Sequence, residues 1–266
     1  MSVLDHGITV GDGAFEAAKI VDGRAFALSR HARRLDRSLV GLGLPPADHR
    51  LIEEGVDAVL SAGDPIRFGR LRYTVTAGRG PLGSDRSVPR DGVDPLTYIV
   101  TAVDEAPPPA SAKVVVAPWT RNERAATAGL KTTSYADNVV ALAYAKERGA
   151  VEAVLGNTRG ELCECTGSNV FVVVEGTVLT PPAGSGLLRG ITRELVLQWC
   201  REDGLPIEER VMPLGILDTA DEVFLTSSTK DVLAVHAVDD RLLEPGPLTA
   251  RAATVFAARA GVGMDP

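Results

Sequence analysis

Apolar residues recur along this chain in two rhythms, and the places where one gives way to the other mark its elements,. Ala17-Ala-Lys-Ile-Val21 and Ala25-Phe-Ala-Leu28 read as paired strands joined by the turn residues Asp22-Gly23,. Helical spacing follows over about residues 29–42: Leu35, Leu39 and Leu42 share a face, Ser29 is placed as N-cap, and Gly41 and Gly43 mark the end,. The other face carries Arg30, Arg33, Arg34 and Arg37. A second helix is expected over about 46–62, a half-buried strand over 70–76, a glycine-rich loop over 77–86 and another strand over 96–103,.

A proline run, Glu105-Ala-Pro-Pro-Pro-Ala-Ser111, then interrupts the pattern and reads as a linker,. Beyond it come a strand at 113–117, a helix at 137–148, strands at 153–155, 169–174 and 177–180, a helix at 192–202 and a strand at 222–226,. This order is not a regular βαβ alternation, so the expected class is α+β. The expected division is a small N-terminal domain over 1–104, the linker over 105–112, and a larger C-terminal domain over 113–266.

Composition narrows the function classes. With 28 basic and 35 acidic residues among 266, the net charge is −7, which supplies no sequence-wide basic field for a nucleic-acid backbone,. No run approaches the roughly 20 apolar residues of a membrane span, and the first 13 residues lack a basic leader region, so a cytoplasmic protein is expected. Cys163, Cys165 and Cys200 are an odd number without metal-ligand spacing and read as reduced thiols,.

Only five of the 28 basic residues are lysines. Lys131, in Gly129-Leu-Lys-Thr-Thr-Ser-Tyr135, stands between an apolar neighbour and a helix start, a setting that suits an amine for Schiff-base formation. Glu164 precedes small and polar residues leading into a strand; buried there, its carboxylate needs a cationic partner, which a protonated ring nitrogen would supply. Gly186-Leu-Leu-Arg-Gly-Ile-Thr-Arg193 runs into a helix, so the N–H groups of Ile191 and Thr192 can face a phosphate. Thr226-Ser-Ser-Thr229 offers hydroxyls and backbone donors to an anion, and an inward arginine on the first helix can neutralise one. A lysine, a carboxylate for a ring nitrogen and a helix-end phosphate site together describe a pyridoxal 5'-phosphate pocket.

The combination resembles the class IV, or fold-type IV, aminotransferases, which include D-amino-acid, branched-chain and (R)-amine transaminases and aminodeoxychorismate lyases. The resembling stretches are Asp5-His-Gly-Ile-Thr-Val-Gly-Asp-Gly-Ala-Phe-Glu16, Arg30-His-Ala-Arg-Arg-Leu-Asp-Arg-Ser38, Gly129 to Tyr135, Glu164-Cys-Thr-Gly-Ser-Asn-Val-Phe171, Arg189-Gly-Ile-Thr-Arg193 and Thr226-Ser-Ser228. The resemblance implies that Lys131 bonds the cofactor and moves the substrate proton. It also implies that Glu164 holds the ring nitrogen, that Arg34, Ile191, Thr192 and Ser228 bind phosphate, and that Tyr135 donates to the phenolic oxygen. It implies a homodimer acting on an amino donor and a 2-oxo acid, with the site at the domain and subunit interface.

Within that family, Lys19 in Phe15-Glu-Ala-Ala-Lys-Ile-Val-Asp-Gly23 resembles the D-amino-acid pattern. The loop over 77–86 lacks the Arg-x-His pair typical of those enzymes, which leaves Arg79 or Arg86 to take the substrate carboxylate. Val10 replaces an aromatic residue and opens the pocket wall, and Thr229 is placed with the substrate. D-amino-acid transamination, with (R)-amines as a side activity, is therefore the first expectation. Aminodeoxychorismate lyase is the alternative, with branched-chain transamination and an inactive cofactor-binding homologue behind it.

Overall fold

The computed structural model describes residues 1–86 and 96–266. Contacts divide the chain into two units. The first comprises Met1–Ala106, Leu130–Tyr135 and Asp265. Its opening turn, α1 (His6–Thr9), is capped by Asp5, whose Oδ1 accepts from Gly7 N–H at 2.8 Å. The strands β1 (Gly13–Val21) and β2 (Arg24–Ala25) follow, then the helices α2 (Leu28–Gly41) and α3 (His49–Ser61), and the strands β3 (Phe68–Thr76) and β4 (Thr97–Asp104). The sheet is antiparallel in the order β2-β1-β3-β4.

Alternation decides how this sheet is used. Ala14, Ala18, Ile20, Leu71, Tyr73 and Val75 project to one face, where Leu35 and Leu39 of α2 and Ile52 and Val56 of α3 close the core,. Phe15, Ala17 and Lys19 of β1 project to the other, opposite Thr74, Arg72 and Arg70 of β3. The hairpin turn has Asp22 and Gly23 at φ 45° and 74°, the left-handed pair that matches strand twist,.

The expected helix limits shift for identifiable reasons. Ser29 is not the N-cap: α2 begins one residue earlier, after Ala27 in a left-handed conformation with no side-chain cap, and Ser29 N–H donates to Asp265 Oδ1 at 3.0 Å. α3 begins at His49 because Asp48 caps it, accepting from Arg50 N–H at 3.0 Å.

The second unit comprises Pro107–Gly129, Ala136–Met264 and Pro266. In chain order it holds β5 (Ser111–Arg121), α4 (Ala136–Glu147), β6 (Glu152–Asn157), β7 (Leu162–Cys165), β8 (Asn169–Val174), β9 (Thr177–Thr180), α5 (Ile191–Glu202), β10 (Ile207–Glu209), β11 (Glu222–Ser227), β12 (Asp231–Val238), β13 (Arg241–Leu242) and α6 (Pro247–Ala260). The main sheet runs β10-β9-β8-β11-β12-β5-β6-β7, with β13 on β12. It is mixed: β9–β10, β12–β5 and β5–β6 are parallel pairs, the others antiparallel. Val114, Val154, Leu162, Val170, Val172, Leu225 and Leu233 fill its core. α4 packs Ala141 and Ala145 over Val115 and Ala153, and Trp199 of α5 meets Phe256 of α6 at 5.2 Å. The three cysteines are free and buried. No helix among the described residues is long and apolar enough to cross a membrane.

Lys131, expected with the C-terminal part, lies in the first unit. Its segment runs alongside β1, pairing Thr132 with Ala14 in antiparallel fashion, and those backbone bonds outweigh its place in the chain,.

Fully buried leucines contribute roughly 1.5–3 kcal/mol each. Leu39→Ala is expected to cost the protein about 2–5 kcal/mol. A urea midpoint, measured beside the wild-type protein, checks this; an unchanged midpoint contradicts the packing of α2 on the sheet.

Candidate active site

In the first unit the site grows from β1. Phe15 N–H donates to Lys131 O at 3.0 Å, Thr133 N–H to Gly13 O at 2.8 Å, and Lys131 N–H to Ser38 Oγ at 3.1 Å. The backbone around the lysine is thereby fixed to both β1 and α2. Its side chain, half-buried, brings Nζ to 4.3 Å from the centre of the Phe15 ring and 5.7 Å from that of Tyr135. Tyr135 meets Phe15 edge-on at 5.1 Å, and the Arg72 guanidinium lies over the same Phe15 ring at 3.8 Å.

On the core side of β1, Glu16 is wholly buried. Arg34 donates to it through Nε at 2.9 Å and Nη2 at 2.6 Å, and His31 Nδ1 lies 2.6 Å from its Oε2. Burial pushes the Glu16 carboxyl upward, but the Arg34 guanidinium and the bonds from Arg34 and His31 outweigh it and hold the group at about 2,. His31 moves below the usual histidine range, first through burial and then against the pull of Glu16; the charges of Arg34 and Lys131 push it the same way. Arg34 is thus the inward arginine of α2, oriented by the Glu16 carboxylate, which nothing in the local spacing of β1 marks out.

The other expected residues of this unit have different settings. Lys19 is buried, with Nζ 5.2 Å from the Phe26 ring. Val10 is exposed just after α1. Arg79 is exposed and bridges Asp5 through its backbone. Arg86, expected to meet a substrate carboxylate, instead grips Asp12 through Nε at 2.7 Å and the Leu42 carbonyl through Nη1 at 2.7 Å.

In the second unit Glu164 lies inside β7 and is buried, just ahead of the small and polar residues that lead into β8. Its Oε2 accepts from Leu188 N–H at 2.9 Å, and its Oε1 faces Arg121 Nε at 3.0 Å. Arg121 in turn reaches Asn138 Oδ1 at 3.2 Å. Asn169 Nδ2 donates to Leu188 O at 2.8 Å, so the carboxylate and the amide fix one turn from two sides. That turn leads to Gly190 and α5, whose first residues, Ile191 and Thr192, are buried and receive no side-chain cap.

The register pairs Asn169 with Thr226 across β8 and β11, which puts their side chains on one face,. Thr226 Oγ1 is buried there without a hydrogen-bond partner among the described residues. Ser228 and Thr229 are half-buried in the turn after β11. Lys230, the last residue of that turn, pairs with buried Glu152, which also accepts from Gly167 N–H at 2.8 Å and Thr166 Oγ1 at 3.2 Å. Among the described residues no cluster of His, Cys, Asp and Glu is suited to a metal ion.

The family model for amino-transferase class IV matches residues 13–238, and the chain belongs to that family. It is 32% identical over 264 residues to the D-alanine aminotransferase of Bacillus licheniformis, covering 96% of this chain and 90% of that one. It is also 32% identical over 250 residues to a protein of Methanocaldococcus jannaschii named as a branched-chain-amino-acid aminotransferase, covering 91% and 84%. Among solved structures, the 4-amino-4-deoxychorismate lyase of Pseudomonas aeruginosa superposes with a TM-score of 0.83 at 25% identity, covering 100% of this chain and 96% of that one.

Class IV aminotransferases depend on pyridoxal phosphate. The residues present fit that group. An uncapped helix start and the orphaned Thr226 hydroxyl are unsatisfied donors of the kind a phosphate completes,. A buried carboxylate and a half-buried lysine supply the other two chemistries it needs,.

Two outcomes follow. A Cβ at Gly190 would come within 2.0 Å of Asn169 Oδ1, so Gly190→Ala is expected to disturb the start of α5 and weaken cofactor affinity by about tenfold, or about 1.4 kcal/mol. Fluorescence titration with the cofactor checks it. Glu16, depressed in the folded state, stabilises fully above about pH 4.5, and that contribution drains away as pH falls towards 2,. Glu16→Gln is expected to lose about 3–5 kcal/mol at pH 7 and to flatten the acid limb of stability, read from denaturation midpoints across pH 2–7.

Proposed function

We propose that the chain is a pyridoxal-phosphate-dependent transaminase, active as a homodimer, that passes the amino group of a D-amino acid to a 2-oxo acid. The observation that carries the choice of donor is Lys19, buried on β1 in the D-amino-acid pattern, supported by likeness to a D-alanine aminotransferase over nearly the whole chain. When bound, the cofactor supplies the electron sink that makes removal of the substrate's α-proton accessible.

The chain's own residues do the rest. Lys131 holds the cofactor through Nζ and then takes and returns the proton at the substrate carbon, its swing bounded by the rings of Phe15 and Tyr135,. Glu164, anchored by Leu188 N–H, presents a fixed carboxylate to the ring nitrogen. The N–H groups of Ile191 and Thr192, with Ser228 and Arg34, take the phosphate, and Tyr135 donates to the phenolic oxygen. The second reading, an aminodeoxychorismate lyase, draws on the structural likeness to the Pseudomonas aeruginosa enzyme. It uses the same lysine and needs no amino acceptor.

The absorption spectrum of the cofactor-loaded protein separates the two. D-alanine alone, without an oxo acid, is expected to bleach the visible band of the bound cofactor, and Lys131→Ala is expected to lack both the band and turnover. An unchanged wild-type spectrum removes the D-alanine reading and favours the lyase.

A further inference from the structure

We propose that Lys230 is a positioning residue for the cofactor phosphate, a role it fills by tying the loop of Ser228 and Thr229 to the buried carboxylate of Glu152. The inference rests on the reading above, in that it takes that loop to receive the phosphate. It begins from the hairpin. Thr226 pairs with Val232 and Ser227 with Asp231, so Ser228, Thr229 and Lys230 form the whole connection between β11 and β12. The backbone closure of this loop is long, from Lys230 N–H to Ser227 O at 3.3 Å, and Asp231 stands in the left-handed region at φ 51°, a position where such loops favour glycine,.

The side chain of Lys230 supplies a second anchor. Its Nζ forms an ion pair with Glu152 Oε1 and donates to Ser168 Oγ at 3.2 Å. Glu152 is 2% exposed, and the β7–β8 turn wraps the rest of its carboxylate. Oε1 accepts from Ser168 Oγ at 2.5 Å, and Oε2 accepts from Gly167 N–H at 2.8 Å and Thr166 Oγ1 at 3.2 Å. Burial pushes the Glu152 carboxyl upward, but the Lys230 charge, with the bonds from Lys230, Ser168 and Gly167, holds it below the usual carboxylate range,. The neutral donors answer the hydrogen bonding of this carboxylate, whereas its charge needs a cation, and Lys230 is the cation set against it,.

The tie joins two ends of the proposed site. The β7–β8 turn lies between Glu164, the carboxylate read as facing the ring nitrogen, and Asn169, while Lys230 closes the loop read as facing phosphate. The covalent frame of the cofactor fixes the separation of its ring nitrogen and phosphate, so the residues that take the two ends have to be held at a matching separation. An ion pair from one turn to the other does this. Being neutral as a whole, it adds little attraction for an anion, and its contribution is to geometry.

The test is a cofactor titration set beside stability. Pyridoxal 5'-phosphate is titrated into the cofactor-free protein by fluorescence, the phosphorus NMR resonance of the loaded protein is recorded, and a urea midpoint is measured for each variant. Lys230→Met is expected to raise the cofactor Kd by about tenfold, to move the phosphorus resonance and to lower the urea midpoint, because it strands a buried carboxylate. Adding Glu152→Gln to it is expected to restore the midpoint but neither the Kd nor the resonance, a separation that a merely structural role would not give. Lys230→Arg, which keeps the charge, is expected to recover part of the affinity, and Lys146→Met, which removes an exposed lysine of α4, to match wild type in all three readings. Recovery of the Kd together with stability in the double variant overturns the proposal. Tighter binding in Glu152→Gln alone, with the ammonium released towards the anion, overturns it in favour of direct contact. A wild-type protein that takes up no cofactor overturns the functional reading along with it, whereas equal Kd and an unmoved resonance across the variants overturn the tie alone.

Discussion

The first unit is organised around a negative charge with no access to water. Glu16 lies on the core side of β1, and a carboxylate there is tolerable only because Arg34 and His31 are built to meet it,. That requirement fixes the rotation of α2, since residues 31 and 34 must both face the strand. Rotation of α2 in turn carries Ser38 to the backbone of Lys131, and the alternation of β1 sends Phe15 to the opposite face, beneath Nζ. One buried ion pair thereby aligns the Lys131 backbone, the Arg34 guanidinium and the Phe15 ring.

The second unit solves a parallel problem with backbone. Glu164 and Asn169 hold the Leu188 backbone on both sides of its Cα, one through the N–H and the other through the carbonyl. The turn before α5 is therefore a consequence of β7 and β8, which carry those side chains. Glu152 makes a similar tie between the β7–β8 turn and the residue that closes the Ser228–Thr229 turn. The turn before α5 and the turn after β11 are in this way each tied to the sheet by a buried carboxylate.

Much of this was legible from spacing. Leu35 and Leu39 announced α2, Asp22-Gly23 the first hairpin, and Gly190 the start of α5, because helix faces, tight turns and uncapped helix ends each restrict residue type locally. The α+β class and the class IV family were legible as well. What stayed hidden depends on distant pairing. Glu16 looks like any polar residue in a strand until Arg34 is packed against it, and Arg86 looks available until Asp12 is found in its fork. β7 and β12 are hidden in the sequence because Glu164 and His236 interrupt the apolar runs, and α6 because its alanine-rich face has weak contrast. Chain order puts Lys131 with the C-terminal part, whereas the bonds that decide its place run to β1.

That last feature bears on how the chain must be made. The edge of β1 is completed by Leu130–Tyr135, a segment that follows the proline run and the whole of β5. A fragment ending at the prolines would present Phe15 N–H and Gly13 O unpaired, an open strand edge of the kind that recruits other chains,. During synthesis the first sheet therefore remains unfinished until residue 135 has emerged, and the natural seam of the molecule is not a point at which it can be cut.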